Sequence, residues 1–227
     1  MGMPRDMLQQ FLAWETQLMR ATDPKEKAGA MLAAFNYLEH FVEEQRPHPS
    51  TELMKSILSA RYEGERPLNH NEVMGMVSLL YIGGLDTVYS TLGWIMRHLA
   101  DDTQLQARLR TNPALIPQAV DEFLRAFPVA QPHRKIKQDF EFHGVKMRKG
   151  DPVLMATFLA HRDERAFKNP HIVDIDRKPR HLAFAVGPHN CLGLHLARRE
   201  LRTVVESFVT QFKDIRIVKG TKYEYHT

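Results

Sequence analysis

The sequence predicts a mainly α protein with a small β region, and three observations carry that expectation. Apolar residues recur at helical spacing through most of residues 1–127. Only after Pro128 does an alternating pattern appear, over Arg134–Val145, and it breaks at His143-Gly144 as a hairpin would. Residues 162–190 then show no periodicity and lead into Cys191 and a last helical pattern. The chain reads as a single domain over 1–227: helical over 1–127, β and loop over 128–190, and a cysteine loop with its helix over 184–213.

The elements follow in chain order. Met7, Leu8, Phe11, Leu12, Leu18 and Met19 mark one face of a first helix. Asp23-Pro24-Lys25-Glu26 combines an N-cap, a proline at the first helical position and a capping-box glutamate. The helix it opens runs to about Glu44, with Met31, Leu32, Phe35, Leu38 and Val42 as its expected buried stripe. Pro47 and Pro49 end it, and Ser50 is placed to cap a short successor. Asn69 and Glu72 form a second capping box, opening a long helix from Asn71 to about Leu99. From Val73 onward that helix is apolar on nearly every face, the pattern of a helix buried all round. Gly83-Gly84 sits at its middle, where each glycine costs roughly 1 kcal/mol against alanine. Asp101-Asp102 opens another helix, and Asn112-Pro113 opens the segment that ends in Glu122-Phe123-Leu124-Arg125. Val153-Leu154-Met155 reads as a short strand. A helix from Leu192 to about Phe212 is followed by a further strand at Ile215-Arg216-Ile217.

Of the 227 residues, 43% are hydrophobic and 26% charged, an ordinary globular balance that argues against disorder. The single cysteine cannot close an internal disulfide and excludes multi-cysteine zinc ribbons and protein-held iron–sulfur clusters. It fits a reducing, cytoplasmic setting. A net charge of +4, with both signs interspersed, gives no reason to expect a nucleic-acid partner. The opening residues show no secretory pattern, and the longest uncharged stretch, Met74–Leu85, is too short to span a bilayer. A soluble protein without a membrane partner is expected.

Cys191 stands in Phe184-Ala185-Val186-Gly187-Pro188-His189-Asn190-Cys191-Leu192-Gly193. A lone cysteine is most often a small buried hydrophobe. This one precedes a helix, where backbone N–H groups and the helix dipole favour negative charge. Gly187 supplies a tight turn before it, and Gly193 removes side-chain bulk after it. A thiolate with open space beside it suits a metal held from the other side by a planar macrocycle.

The segment resembles the cysteine-ligand loop of the cytochrome P450 family, Phe-Gly-x-Gly-x-His-x-Cys-x-Gly. It matches at Phe184, Gly187, His189, Cys191 and Gly193 and departs at Ala185, where glycine is usual. Glu122-x-x-Arg125 resembles the family's Glu-x-x-Arg motif, although the spacing alone is common on helix surfaces. The resemblance implies a buried structural pair, joined by Arg177 of the long loop. Gly83-Gly84-Leu85-Asp86-Thr87 resembles the oxygen-binding bend of the family's central helix; without the resemblance it is a kinked core helix with an incidental threonine. His161-Arg162-Asp163, Phe167 and Pro170 resemble the loop between the motifs. Gly83–Thr87 and Phe140–Val145 are most similar to the camphor-hydroxylating bacterial branch. Family members are nearly twice this long, so the chain reads as the C-terminal portion of the cytochrome P450 fold.

The resemblance implies a haem-thiolate monooxygenase. Its cofactor would be haem b (iron protoporphyrin IX), with the Cys191 thiolate as axial ligand and metal-binding residue, and with O2 as cosubstrate. It would insert oxygen into a small apolar organic substrate, drawing electrons from a ferredoxin-type donor. Asp86 and Thr87 would be catalytic, supplying protons. Gly83 and Gly84 would let the helix backbone lie against the haem face, and Phe184, Gly187 and Gly193 would shape the loop. Arg134 and His189 would bind the haem propionates, charge-assisted bonds being the strong kind. Read without the resemblance, Arg134 is an exposed strand charge. Arg198-Arg199 with Arg202 reads as a solvated face, or as a dock for an acidic electron-transfer protein. The alternatives to an enzyme are a non-enzymatic haem-binding fragment and a haem-free structural remnant. With the N-terminal half missing, uncovered apolar faces predict self-association.

Overall fold

Short polar side chains at Asp23, Thr51, Asn69 and Asp102 cap the starts of helices. In a computed structural model, which describes residues 1–222, a 3-10 turn at Arg5–Met7 leads into α1 (Leu8–Arg20). Asp23 caps α2 (Pro24–Gln45), its side chain accepting from the Lys25 N–H at 2.8 Å. α3 (Glu52–Ser59) is capped by Thr51, whose Oγ1 accepts from the Met54 N–H at 3.2 Å. Ser50, the expected cap, instead donates its backbone N–H to Gln45 Oε1 at 2.6 Å. β1 (Arg61–Tyr62) and β2 (Arg66–Pro67) pair antiparallel. The reciprocal capping box then forms: the Glu72 N–H donates to Asn69 Oδ1 at 3.0 Å, and the Asn69 N–H to Glu72 Oε2 at 2.8 Å. It opens α4 (His70–Asp101).

The described residues form two units, 1–86 and 87–222. In the first, α1 and α2 pack together over a core that includes Phe11, Ala34, Leu38, Phe41, Val42, Met54, Val73 and Val77. The expected stripe of α2 is rotated. Met31, Leu32 and Phe35 are exposed, while Ala30, Ala34, Leu38, Phe41 and Val42 face inward. Alanines on the inner face let two helices approach closely, and a search for large apolar residues passes over them. On α1 the buried residues are Phe11 and Glu15, whereas Leu8, Leu12 and Met19 are exposed.

The second unit contains the C-terminal part of α4, then α5 (Thr103–Thr111), a 3-10 turn at Pro113–Leu115 and α6 (Ile116–Ala126). Asp102 caps α5 by accepting from the Leu105 N–H at 2.8 Å. Four short strands follow: β3 (His133–Lys135), β4 (Phe140–Phe142), β5 (Val145–Met147) and β6 (Pro152–Leu154). β4 and β5 make the hairpin, turning on His143 and Gly144 at φ of 48° and 80°, both left-handed as a tight two-residue turn requires. Arg134, expected in that hairpin, lies on β3 and pairs with β6. α7 (Thr157–Ala160) precedes an irregular run, a 3-10 turn at Gly187–His189, and α8 (Leu194–Gln211).

Helices α6 and α8 pack together with Ile95, Leu99, Leu109, Val120, Phe123, Leu201, Val205 and Val209 buried. The strand expected at 215–217 does not form. Gln106 takes the backbone groups of Ile215 that a strand would pair: its Nε2 donates to the Ile215 carbonyl at 2.9 Å, and its Oε1 accepts the Ile215 N–H at 3.1 Å. Nor is α4 buried all round. Val73, Met74, Val77, Ile95 and Leu99 are buried, yet Leu79 and Tyr89 are 65% and 69% exposed. An all-apolar helix needs neighbours on every side, and the described residues leave part of its surface open. Among the described residues α4 is the helix long and apolar enough to cross a membrane. Its Asp86 forms an ion pair with Arg20 of α1 and its Tyr81 hydroxyl donates to the Phe11 carbonyl, pairings that belong to a helix packed on protein.

Candidate functional site

The Glu-x-x-Arg spacing puts Glu122 and Arg125 on one face of α6, and there both are buried. Arg125 Nε and Nη2 donate to Glu122 Oε2 and Oε1, each at 2.8 Å. Arg125 Nη1 donates to the carbonyls of His161 (2.9 Å) and Pro170 (2.8 Å), and Nη2 also to that of Ile172 (3.1 Å). Glu122 Oε1 further accepts from the Asp174 N–H at 2.9 Å and from Arg177 Nε at 3.2 Å. Arg177 in turn donates to the carbonyls of Lys168 and Asn169. Burial of two charges is tolerable only with every lone pair and proton so engaged. The cluster ties the aperiodic run to α6.

That run ends in the cysteine loop. His161, fully buried, meets the Leu182 N–H with Nε2 at 2.7 Å. His181 Nδ1 accepts from the Ala183 N–H at 3.3 Å, and the His181 ring packs on Phe184. Within the loop the Ala185 N–H donates to the Leu182 carbonyl at 2.9 Å, the Asn190 N–H to Gly187 at 3.0 Å, and the Cys191 N–H to Phe184 at 2.8 Å. Ala185 has φ of 56° and Gly187 of 70°, so the backbone is left-handed at both positions. Glycine makes this easy at 187; alanine bears it at 185 at a cost of roughly 1–2 kcal/mol. The loop delivers Cys191 to solvent just ahead of α8. In the sequence on either side of it Val186, Leu192 and Leu196 are all strongly exposed.

Arg198, on the first turns of α8, is not part of a solvated face. Its Nε donates to Asp121 Oδ1 at 2.8 Å and its guanidinium lies over the Phe184 ring. Burial works against the Asp121 carboxylate, but His181 and Arg198 outweigh it and hold the carboxyl below the usual carboxylate range. Asp121 and His181 were not legible as parts of this site, Asp121 lying 77 residues from its partner Arg198, while His161 was marked by its loop resemblance alone. Arg134 lies exposed on β3, its Nη1 donating to the His133 carbonyl, and His189 lies exposed in the 3-10 turn before Cys191.

Gly83, Gly84, Asp86 and Thr87 follow one another on α4, where the first unit ends and the second begins. Asp86 Oδ1 accepts from Arg20 Nη2 at 2.9 Å, and Arg20 Nη1 reaches Glu15 Oε2 at 3.3 Å. Burial pushes the Glu15 carboxyl up; Arg20 opposes that rise and Asp86 adds to it. The Thr87 carbonyl accepts from Thr91 Oγ1 at 2.7 Å.

Comparison with known proteins decides what this arrangement belongs to. The family model described as Cytochrome P450 matches residues 5–220. The chain belongs to the cytochrome P450 family. It is 34% identical over 237 residues to Cytochrome P450(BM-1) of Priestia megaterium, a match that takes in 99% of this chain and 57% of that one. Among solved structures, the LnmA cytochrome P450 hydroxylase of Streptomyces atroolivaceus S-140 is 33% identical with a TM-score of 0.87, covering 100% of this chain and 60% of that one. The Bacillus subtilis 168 P450 PksS is 29% identical with a TM-score of 0.86, covering 94% and 56%. The chain thus spans a little over half the length of these relatives.

Cytochromes P450 are haem-thiolate proteins, and the surroundings of Cys191 fit such a group. The sulfur is exposed, apolar Val186, Leu192 and Leu196 in the flanking sequence are exposed too, and Gly187 has open space where a side chain would be. A Cβ added at Gly193 would stand 3.9 Å from Cys191 Sγ, in the space beside the sulfur. Among the described residues no three His, Cys, Asp or Glu side chains converge as a separate metal cage.

Proposed function

We propose that this chain holds haem b through the Cys191 thiolate and forms the cofactor-bearing part of a haem-thiolate monooxygenase. Its substrates would be O2 and a small apolar organic molecule, and its electrons would come from a ferredoxin-type donor. The observation that supports this reading is Cys191 itself, exposed ahead of α8 in a loop closed by its own N–H on the Phe184 carbonyl. When bound, haem supplies a redox-active iron for O2 reduction, and the thiolate supplies electron density that favours O–O cleavage.

The chain's own residues then take separate tasks. Cys191 Sγ ligates, Gly187 turns the chain before it, Gly193 keeps the space beside it clear, and Phe184 flanks it. Arg134 and His189 hold propionate oxygens. Gly83 and Gly84 permit close approach of the α4 backbone. Asp86 carboxylate oxygens and Thr87 Oγ1 hold and pass protons, and Arg20 keeps the Asp86 side chain in one orientation. At Gly83–Thr87 and Phe140–Val145 the chain resembles the camphor-hydroxylating branch.

A second reading, a chain that binds haem without turning over substrate, is favoured by the open surface of α4 at Leu79 and Tyr89. That surface also favours self-association. One experiment addresses both readings. The chain is titrated with hemin, reduced and exposed to carbon monoxide. A thiolate-type band in the wild type, absent from Cys191→His even where haem remains bound, is expected. The same band in both proteins overturns the assignment of Cys191. Turnover with a ferredoxin-type donor separates the monooxygenase from the haem-binding chain.

A further inference from the structure

We infer that His161 is a positioning residue for the cysteine loop, held as the neutral Nδ1–H tautomer so that one ring carries the order of the Glu122–Arg125 cluster across to the backbone entering that loop. The inference rests on the proposed role of Cys191 for its functional meaning, but not for its structural content.

The partners of the two ring nitrogens leave one arrangement. Nδ1 lies 2.8 Å from the Arg125 carbonyl oxygen, which only accepts, so Nδ1 carries the hydrogen. Nε2 lies 2.7 Å from the Leu182 backbone N–H, which only donates, so Nε2 is bare. The grip is reciprocal: the His161 carbonyl accepts from Arg125 Nη1 at 2.9 Å. From Leu182 the order passes on through the backbone. Its carbonyl accepts the Ala185 N–H, and the Phe184 carbonyl accepts the Cys191 N–H, at 2.9 and 2.8 Å. A fully buried imidazole therefore stands between the most buried charge pair of the second unit and the backbone that presents the sulfur.

The groups facing the ring keep it neutral. Arg125 and Arg162 bring positive charge, and the His181 ring lies 6.2 Å away by centroids; Phe167 covers a further side at 6.1 Å. A second ring proton would add charge among cations and would remove the acceptor that holds Leu182. Burial first, with the charges of His181, Arg125 and Arg162 after it, outweighs the opposing bond to the Arg125 carbonyl and depresses the His161 pKa to about 4, so the attachment persists through neutral and mildly acid solution.

Amide-resolved hydrogen exchange on the full chain tests the inference without haem, so its outcome is separate from that of the carbon monoxide spectrum. His161→Phe keeps a ring and loses both bonds; His161→Gln keeps an oxygen able to accept from Leu182. In His161→Phe the Leu182, Ala185 and Cys191 amides are expected to exchange about tenfold faster or more, while amides of α6 and α8 keep their protection. His161→Gln is expected to recover part of the loss. Loop amides in His161→Phe that exchange as in the wild type overturn the inference. Should His161→Phe unfold, nitrogen-15 spectra of the wild-type histidines decide: a bare Nε2 at neutral pH supports it, and an Nε2–H overturns it.

Discussion

Arg198 Nε donates to Asp121 Oδ1 at 2.8 Å, binding the helix that follows the cysteine to the helix that carries the Glu-x-x-Arg pair. The same guanidinium carbon stands 4.9 Å from the centre of the Phe184 ring, so a single side chain braces α6, α8 and the loop between them. Its neighbour Arg199 is exposed. Adjacent arginines thus have different tasks.

That difference is measurable. Arg198→Met is expected to cost about 1–2 kcal/mol, the worth of a partly shielded hydrogen bond to a charged group. Arg199→Met should stay within about 0.5 kcal/mol of the wild type. Urea denaturation of the two variants checks the contrast, and equal costs would return Arg198 to the solvated face.

Glu122→Ala or Arg125→Ala removes one member of an ion pair whose side chains are 0% and 1% exposed. Glu122→Ala leaves Arg125 a buried charge facing only carbonyls and should lose about 3–5 kcal/mol, whereas Arg125→Ala leaves Glu122 still paired with Arg177 and should lose less. Thermal unfolding followed by circular dichroism reads this directly. Wild-type melting in both variants would contradict the buried geometry.

Ala185 holds φ of 56° in the cysteine loop. Ala185→Gly relieves a left-handed strain of roughly 1–2 kcal/mol but gives the unfolded chain more freedom, worth about 0.4–1 kcal/mol. A net gain of about 0.5–1 kcal/mol is expected, seen as a raised urea midpoint. A lowered midpoint would show that the methyl group contributes packing of its own.

Acid should weaken the second unit through His161. Its pKa falls from 6.5 to about 4 on folding, chiefly by burial, so between those values the unfolded chain binds more protons than the folded one. Stability therefore drops as pH falls from about 6.5 to 4, by about 3 kcal/mol from this group alone, and drops no further below that. Denaturation midpoints measured across the window, with His161→Gln as reference, should show a shallower slope in the variant.

Local chemistry was legible and long-range chemistry was not. The caps at Asp23, Asn69 and Asp102 are contests settled within three residues, and the sequence shows all the contestants. The loop around Cys191 was legible because its motif is contiguous. Gln106 and Ile215, 109 residues apart, bond through groups that no local pattern marks, and so the strand expected there was replaced by a side-chain clasp. On α2 the pattern misled for another reason: periodicity ranks residues by size, whereas the packed face is built partly on Ala30 and Ala34. At the site, His161 carried a motif resemblance, but its bonds to Arg125 and Leu182 appear only once two distant segments lie against α6.

All five N–H groups of Arg125 are occupied, two by Glu122 and three by carbonyls 36, 45 and 47 residues further along the chain. This is the work of a cross-link, done by a guanidinium in a chain whose single thiol leaves no disulfide to do it. Such a staple is indifferent to reductants and needs no oxidising compartment to form. Its weakness is of another sort, since dissolved guanidinium is the same cation and competes for the same carboxylate.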